Sequence, residues 1–395
     1  MLMNLTALVD KYGIQPRSVL HIGAQAGQEI QGYELPALKG LGDHIGGFDA
    51  IYAAVNRSEV HEEGTGIQDL DQYLAGQGFT RALTQWAGVI RGTALYVRSV
   101  FAAGTARILQ DGITAYPVGG MGNQLFIIVA AWAQAKRLGC PLYIDWSWYG
   151  LTPGATPRQP QCSKFLIPAL DVGDASPWKG AWPVAGRVPG LQVWKEANTF
   201  AYDPTIETIG LGTTITGYCQ AWRYVAPVAQ QVAGMLMGAQ IPAEERHRIE
   251  AIPGRKSISV HLRRGDYLNA AVASHHGMAT TGYMIRGLNL ALRLGDFKTA
   301  NVFSDSPQAV EAELRQLGID GLDFSYNGLS DVASLLAMAA GDAMIMSNSS
   351  FSWWAAFLMS MRNPAADIIA PRPWMQDGTS AADLLLPGWI TLDAR

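Results

Sequence analysis

The stretch "SISVHLRRGDYLN", residues 257–269, decides how this chain is read. Only 16% of the residues are charged, so two arginines and an aspartate directly after an apolar run stand out. The short β-branched run 257–262 predicts a strand, with "RRGDY" leaving its carboxyl end. In open α/β sheets that edge is where ligands bind. Arg263 and Arg264 there offer planar, permanently charged forks suited to a diphosphate. Asp266 is placed to hold one guanidinium or to accept a proton, and Gly265 lets the backbone turn sharply. The plainer alternative is a surface Arg–Asp pair at a strand end, which contributes little.

Three further polar junctions between strands and helices favour the ligand reading. "GGMGNQ" (119–124) follows a strand and opens a helix, a seat for a phosphate or a carbohydrate hydroxyl. "NVFSDSP" (301–307) ends a strand in Ser304, Asp305 and Ser306, with Asp305 placed to accept from a guanine edge or a ribose. An ordinary helix cap explains that stretch equally well taken alone. "MIMSNSSFSWWAAFL" (344–358) is a strand, polar residues including Ser349 and Ser350, then an apolar helix, and predicts a second anion nest. Trp353 and Trp354 read as core packing rather than as sugar-stacking faces.

Composition narrows the class. The 395 residues are 49% hydrophobic with a net charge of −4, which describes a globular α/β protein and gives no basis for nucleic-acid binding. Three widely spaced cysteines suit a reducing cytoplasm better than a disulfide framework or a zinc site. "MLMNLTALVDKYG" does not read as a secretory leader, and the longest apolar stretches are too short or too interrupted to span a bilayer. That predicts a cytoplasmic protein and leaves room for peripheral association with the inner membrane.

The chain changes character near residues 105–112. Before it, "SVLHIGAQAGQE" reads as a strand turning through Gly23 and Gly27 into a helix, although a strand followed by G-x-x-x-G also describes a plain tight turn. "FDAIYAAVN" and "TALYVRS" read as strands and "IQDLDQYLAGQGF" as an amphipathic helix. These stretches resemble the FkbM-type S-adenosylmethionine-dependent methyltransferases, with "QGYELPALKG" and "RGTALYVR" matching late elements of that family. The early and late elements nearly touch in sequence, and each missing βα unit needs on the order of 30 residues. Residues 1–105 are therefore expected to be an internally truncated α/β remnant without methyl transfer.

From residue 113 to the end, "GGMGNQLF", "GYCQAWRY", "HLRRGDY", "VFSDS" and "SNSSFSWWAAFL" occur in the order and spacing of bacterial α-1,2-fucosyltransferases, glycosyltransferase family 11, which this region resembles. The resemblance implies a GT-B-like fold of two facing Rossmann-type domains: an acceptor-side half over 112–235 and a GDP-fucose-binding half over 250–395. It implies GDP-β-L-fucose as donor, inversion at the anomeric carbon, no metal or other cofactor, and a galactose-containing surface glycan as acceptor, as in lipopolysaccharide biosynthesis.

Carried over residue by residue, Arg263 is the implied diphosphate clamp, supported by Arg264 and Asp266. His261 points from the same strand toward the nucleotide. Ser304 and Asp305 stand at the family's S-D-D, while Asn348, Ser349, Ser350 and Phe351 line the phosphate nest. Gly122, Asn123 and Gln124 belong to the acceptor-side half. Two departures stand out: Ser306 replaces the family's second acid, and Ile127 and Ile128 replace a Gln–Tyr pair near the acceptor wall. The general base is Asp266 or His276. The triplet Asp69–Leu70–Asp71 resembles a metal-binding Asp-x-Asp but reads as a solvated helix face. Two competing functions are a methyltransferase fusion and an inert carbohydrate-binding scaffold; the arginines and the N-S-S nest favour the transferase.

Overall fold

In the computed structural model the structure describes residues 19–22, 34–57, 66–88, 91–101, 104–150, 158–179, 181–252, 256–263, 279–306, 310, 323–375 and 379–394. The α/β chain forms two compact units. The first comprises residues 1–120, 124–196 and 203–218, and the second residues 121–123, 197–202 and 219–395.

The first unit is built on nine strands: β1 (Val19–Ile22), β2 (Ala50–Asn56), β3 (Phe79–Trp86), β4 (Arg91–Arg98), β5 (Ile113–Ala115), β6 (Leu142–Asp145), β7 (Leu170–Val172), β8 (Gln192–Lys195) and β9 (Thr213–Thr216). Their order is β1-β2-β4-β3-β7-β6-β5-β9-β8. β4 lies antiparallel between β2 and β3, and β3 in turn pairs antiparallel with β7, Leu83 opposite Val172. Strands from before residue 105 and after residue 112 thus share one sheet. β3 was not legible as a strand because its register shifts between Arg81 and Leu83. That irregularity breaks the period-2 alternation by which a strand is recognised.

Among the described residues, four helices accompany this sheet: α1 (Glu34–Gly40), α2 (Ile67–Gly76), α3 (Gly104–Leu109) and α4 (Met121–Leu138). α2 buries Leu70 and Leu74, which pack with Val55, Phe79 and Tyr96. Of the Asp69–Leu70–Asp71 triplet, Asp69 is exposed as a solvated helix face would have it, but Asp71 is largely covered. The Asp69 carboxylate accepts from the Gly66 N–H at the helix start, and Asp71 accepts from Arg81 Nε and the Tyr96 hydroxyl, each at 2.9 Å. Both Asp71 and Arg81 are about four-fifths covered. α4 stops at a left-handed glycine, with Lys136 and Arg137 in the last turn and Gly139 at φ 64°.

The second unit carries six strands: β10 (Ser257–Leu262), β11 (Thr299–Ser304), β12 (Asp323–Asn327), β13 (Ala343–Ile345), β14 (Asp367–Arg372) and β15 (Ile390–Asp393). All pairings are parallel and the order is β12-β11-β10-β13-β14-β15. Counted from β10, this is the 3-2-1-4-5-6 order of doubly wound dinucleotide folds. Its helices are α5 (Trp222–Val225), α6 (Ala229–Met237), α7 (Ala243–Ala251), α8 (Thr281–Leu294), α9 (Asp331–Ala339) and α10 (Ser350–Arg362).

Every residue of β10 is buried, as expected for a central parallel strand covered on both faces. Ile258, Val260 and Leu262 pack against Tyr283, Met284 and Leu288 of α8. Burying aliphatic side chains of this size contributes about 1.5–3 kcal/mol each. The alternate positions are small or polar. Ser259 donates to the Met338 carbonyl of α9 at 2.7 Å, and His261 reaches toward α10. Among the described residues, no helix is long and apolar enough to cross a membrane.

Candidate active site

In a sheet of order 3-2-1-4-5-6 the connections turn opposite ways between strands 1 and 4, and a crevice opens beyond their carboxyl ends. Here those strands are β10 and β13, paired in register with Val260 opposite Ile345. The chain leaves β10 as His261–Leu262–Arg263 and leaves β13 as Met346–Ser347–Asn348–Ser349 before α10 begins. The tip of β11, Ser304 and Asp305, is the next neighbour on the other side. Tyr283 ties the end of β13 to its neighbour β14, its hydroxyl lying 2.9 Å from the Met346 carbonyl and 3.1 Å from that of Ile369.

His261 occupies the centre of this junction. The hydroxyls of Ser347 and Ser352 lie 2.9 and 3.0 Å from its Nδ1, and its ring tilts against Phe351 at 5.6 Å. Ser352 Oγ also accepts from the Ser347 N–H. Burial pushes the imidazole pKa down to about 4; nearby Asp305 raises it and Arg263 lowers it further. His261 is therefore a neutral bracket between β10 and the start of α10.

That depression has a stability consequence with a definite sign. Between pH 6.5 and 4 the unfolded chain takes up a proton at His261 that the folded chain does not. Stability from this residue is complete above pH 6.5, falls as pH drops through that window, and amounts to a loss of about 2 kcal/mol by pH 5. Buried Asp145 and Asp171, whose pKa values are raised by burial, act in the opposite sense on the acid side. Denaturant melts of the parent chain and of His261→Asn at several pH values should therefore differ in slope between pH 6.5 and 4.5, the variant being flatter.

The start of α10 is held from within. Ser349 Oγ accepts from the Phe351 N–H at 3.3 Å, and the Ser349 N–H donates to the Ser347 carbonyl at 2.8 Å. Ser350 Oγ donates to Asn123 Oδ1 at 2.7 Å, which also accepts from Gln220 Nε2 at 2.8 Å. The nest expected at Ser349–Ser350 is thus already bonded to its own backbone and to Asn123. Asn348 donates through Nδ2 to the Trp374 carbonyl. Trp353 and Trp354 are fully buried, as their sequence context predicts, and donate to the carbonyls of Leu384 and Gly122.

The glycine loop is divided between the two units. Gly122 and Asn123 group with the second and Gln124 with the first. Gly122 lies so close to α10 that a Cβ there would stand 2.6 Å from Phe351 N and from Ser350 C. Gln124 does belong to the first unit, but its side chain is engaged there. It donates to the carbonyls of Gly119 and Gln159 and accepts from the Cys162 N–H. Ile127 and Ile128 are fully buried core residues and line no open wall.

The structure therefore gathers His261, Arg263, Ser304, Asp305, Asn348, Ser349, Ser350 and Phe351 at one sheet edge, with Gly122 and Asn123 braced against it. Arg264, Asp266 and His276 lie outside the described residues. Sequence reasoning missed Ser347 and Ser352, which bracket His261, and Gln220, which holds Asn123. Ser347 and Ser352 sit in the quoted Ser-rich junction, but only the fold reveals that they face a strand about 90 residues away. Gln220 lies in "GYCQAWRY", beside Cys219, whose φ of 51° marks a backbone bent for position.

This fold is a doubly wound parallel unit, and the edge is its switch point. Residues 230–393 match the family model described as glycosyl transferase family 11. It is similar to an alpha-1,2-colitosyltransferase of Escherichia coli, at 26% identity over 303 residues, covering 71% of this chain and 99% of that protein. It is also similar to the O-antigen biosynthesis glycosyltransferase WbnK of Escherichia coli, at 24% identity over 139 residues, covering 34% of this chain and 44% of that one. Among solved structures, the fucosyltransferase NodZ from Bradyrhizobium aligns with 17% identity and a TM-score of 0.38, over 63% of this chain and 92% of that one.

Proposed function

We propose that this chain transfers L-fucose from GDP-β-L-fucose to the 2-hydroxyl of a terminal galactoside in a surface glycan of the O-antigen type, with inversion and without a metal. The observation that carries the reading is the position of Arg263 at the switch point of a 3-2-1-4-5-6 sheet inside the region that matches the family 11 model. The names of the two Escherichia coli relatives, one for colitose and one for O-antigen, support the donor class and the acceptor class.

In this mechanism the acceptor oxygen forms a bond to C1 of the fucose as the bond from C1 to the β-phosphate oxygen breaks, through an oxocarbenium-like state. The electron pair leaves with GDP. Arg263, assisted by Arg264, stabilises the charge growing on that phosphate, as a preorganised donor does. The hydroxyl proton passes to Asp266 or His276. His261 is unsuited to that step, because a pKa near 4 makes it a weak base at neutral pH. Its part is to position Arg263 and the Ser347–Ser352 junction on neighbouring strands.

The deciding experiment incubates the purified chain with GDP-fucose and a panel of β-galactosides in the presence of EDTA, followed by linkage analysis. GDP-colitose runs in parallel, since colitose is fucose without its 3-hydroxyl. Release of GDP with formation of an α-1,2-fucosyl galactoside is expected. Transfer of colitose alone overturns the donor, transfer to another hydroxyl overturns the linkage, and loss of activity with EDTA overturns the metal-free chemistry.

A further inference from the structure

The first unit contains a cleft whose lining includes none of the residues assigned to the transfer chemistry. Its volume is about 750 Å³, within the range of small-molecule sites. It lies where β3 meets β7, so one wall comes from residues 57–86 and the other from residues 146–179. Neither wall belongs to the region matched by the family model.

The lining is polar and cationic. Arg57, Arg81, Lys164 and Lys179 face two carboxylates, Asp171 and Asp174. Asp71, bonded behind Arg81, still leaves the cations in excess. Lys179 lies 3.2 Å from Asp174, and both are more than half exposed, so this pair is weak. Burial pushes the Asp171 carboxyl up, while the Arg57 guanidinium beside it acts in the opposite sense. The first turn of α2 supplies Ile67 and Gln68, placing the positive end of that helix on the same wall.

The remaining groups suit hydroxyl-rich ligands. Glutamines and serines supply paired donors and acceptors along the rim. Trp86 lies under the Arg57 guanidinium, 4.2 Å from its carbon, and donates its indole N–H to Asp171 at 2.8 Å. Trp146 turns its own buried indole N–H toward Asp171, near enough to hold that carboxyl's pKa down. An indole N–H is a donor without acceptor capacity, and a ligand hydroxyl oxygen can accept from it.

We propose that this cleft binds an acidic saccharide, a sugar chain carrying carboxylate or phosphate groups. Arg57, Lys164 and Lys179 receive the acid, and Trp146 with the rim amides receives the hydroxyls. This makes the N-terminal segment part of a glycan-binding site that needs no nucleotide donor.

The test is a binding measurement on the full chain with no GDP-sugar present. Digalacturonate, its neutral counterpart galactobiose, galactose 1-phosphate and inorganic phosphate are each titrated by calorimetry and by tryptophan fluorescence. One or both acidic sugars should bind, each at least about tenfold more tightly than galactobiose, and the stronger of the two identifies the acid as carboxylate or phosphate. The Lys164→Gln/Lys179→Gln double variant should weaken that binding by about tenfold, and Trp146→Phe should weaken it at an unchanged melting temperature. Saturating GDP should leave it unaltered. Four outcomes overturn the proposal: no binding of either acid up to about 10 mM, equal binding of galactobiose, inorganic phosphate binding as well as the sugars, or insensitivity to the lysine variant. Because no transfer is measured, failure here is separate from failure of the fucosyltransfer assay.

Discussion

Arg263→Ala is expected to lose transfer activity by about 10²–10³-fold, the usual effect of removing a preorganised donor from a developing charge. The size follows from its place. The residue leaves the buried strand β10 at the switch point, where the proposed reaction leaves a diphosphate carrying growing negative charge. Arg263→Lys should recover only part of the loss, because an ammonium keeps the charge but not the planar fork. The fold should be indifferent: Arg263 is partly exposed and stands outside the cluster of Ile258, Val260 and Leu262. Removing it should also raise the His261 pKa, which its charge now depresses. Steady-state kinetics with GDP-fucose, a thermal melt and an NMR titration of His261 check the three statements. Activity within about tenfold of the parent would remove Arg263 from the clamp.

Gly122→Ala should be nearly as damaging for a different reason. Its Cβ would enter the backbone of Ser350 and Phe351 at 2.6 Å, and backbone cannot rotate away as a flexible side chain can. The first turn of α10 must then shift, along with the bonds from Trp354 to the Gly122 carbonyl and from Ser350 to Asn123. Overpacking of this kind costs about 1–3 kcal/mol. A displacement of about 1 Å at a site that positions a substrate costs about 10²-fold in rate. Gly120→Ala is the matched control: its nearest neighbour would be Arg158 Nη1 at an ordinary 3.5 Å. Equal melting temperatures and equal kcat for the two alanine variants would show that Gly122 does not seat α10.

The sheet edge of the second unit was legible because its strands are short, buried and interrupted by polar residues at one end. A run such as "SISVHL" followed by "RRGD" announces both the strand and the side on which it finishes. What the sequence could not display is which partner each polar group takes. Asn123 and Ser350 are 227 positions apart, and no local pattern says that an amide in a glycine loop will brace a helix start rather than face a ligand. His261 likewise reads as a nucleotide contact until Ser347 and Ser352 are found on its Nδ1. In the first unit, the register shift in β3 hid the one strand that joins the two stretches on either side of residue 105. The change in composition there is real, but hydrogen-bonded edges, unlike linkers, leave no compositional mark.

That junction has a practical meaning for anyone handling the molecule. What looks in the gene like a dispensable leader supplies the outer neighbour of β7, so shortening the chain to the family-like portion would strip a row of main-chain amides and carbonyls of their mates. Bare margins of that kind recruit other polypeptides. Strands β1 to β4 therefore serve as a selvedge, and a piece cut back past them should be expected to aggregate.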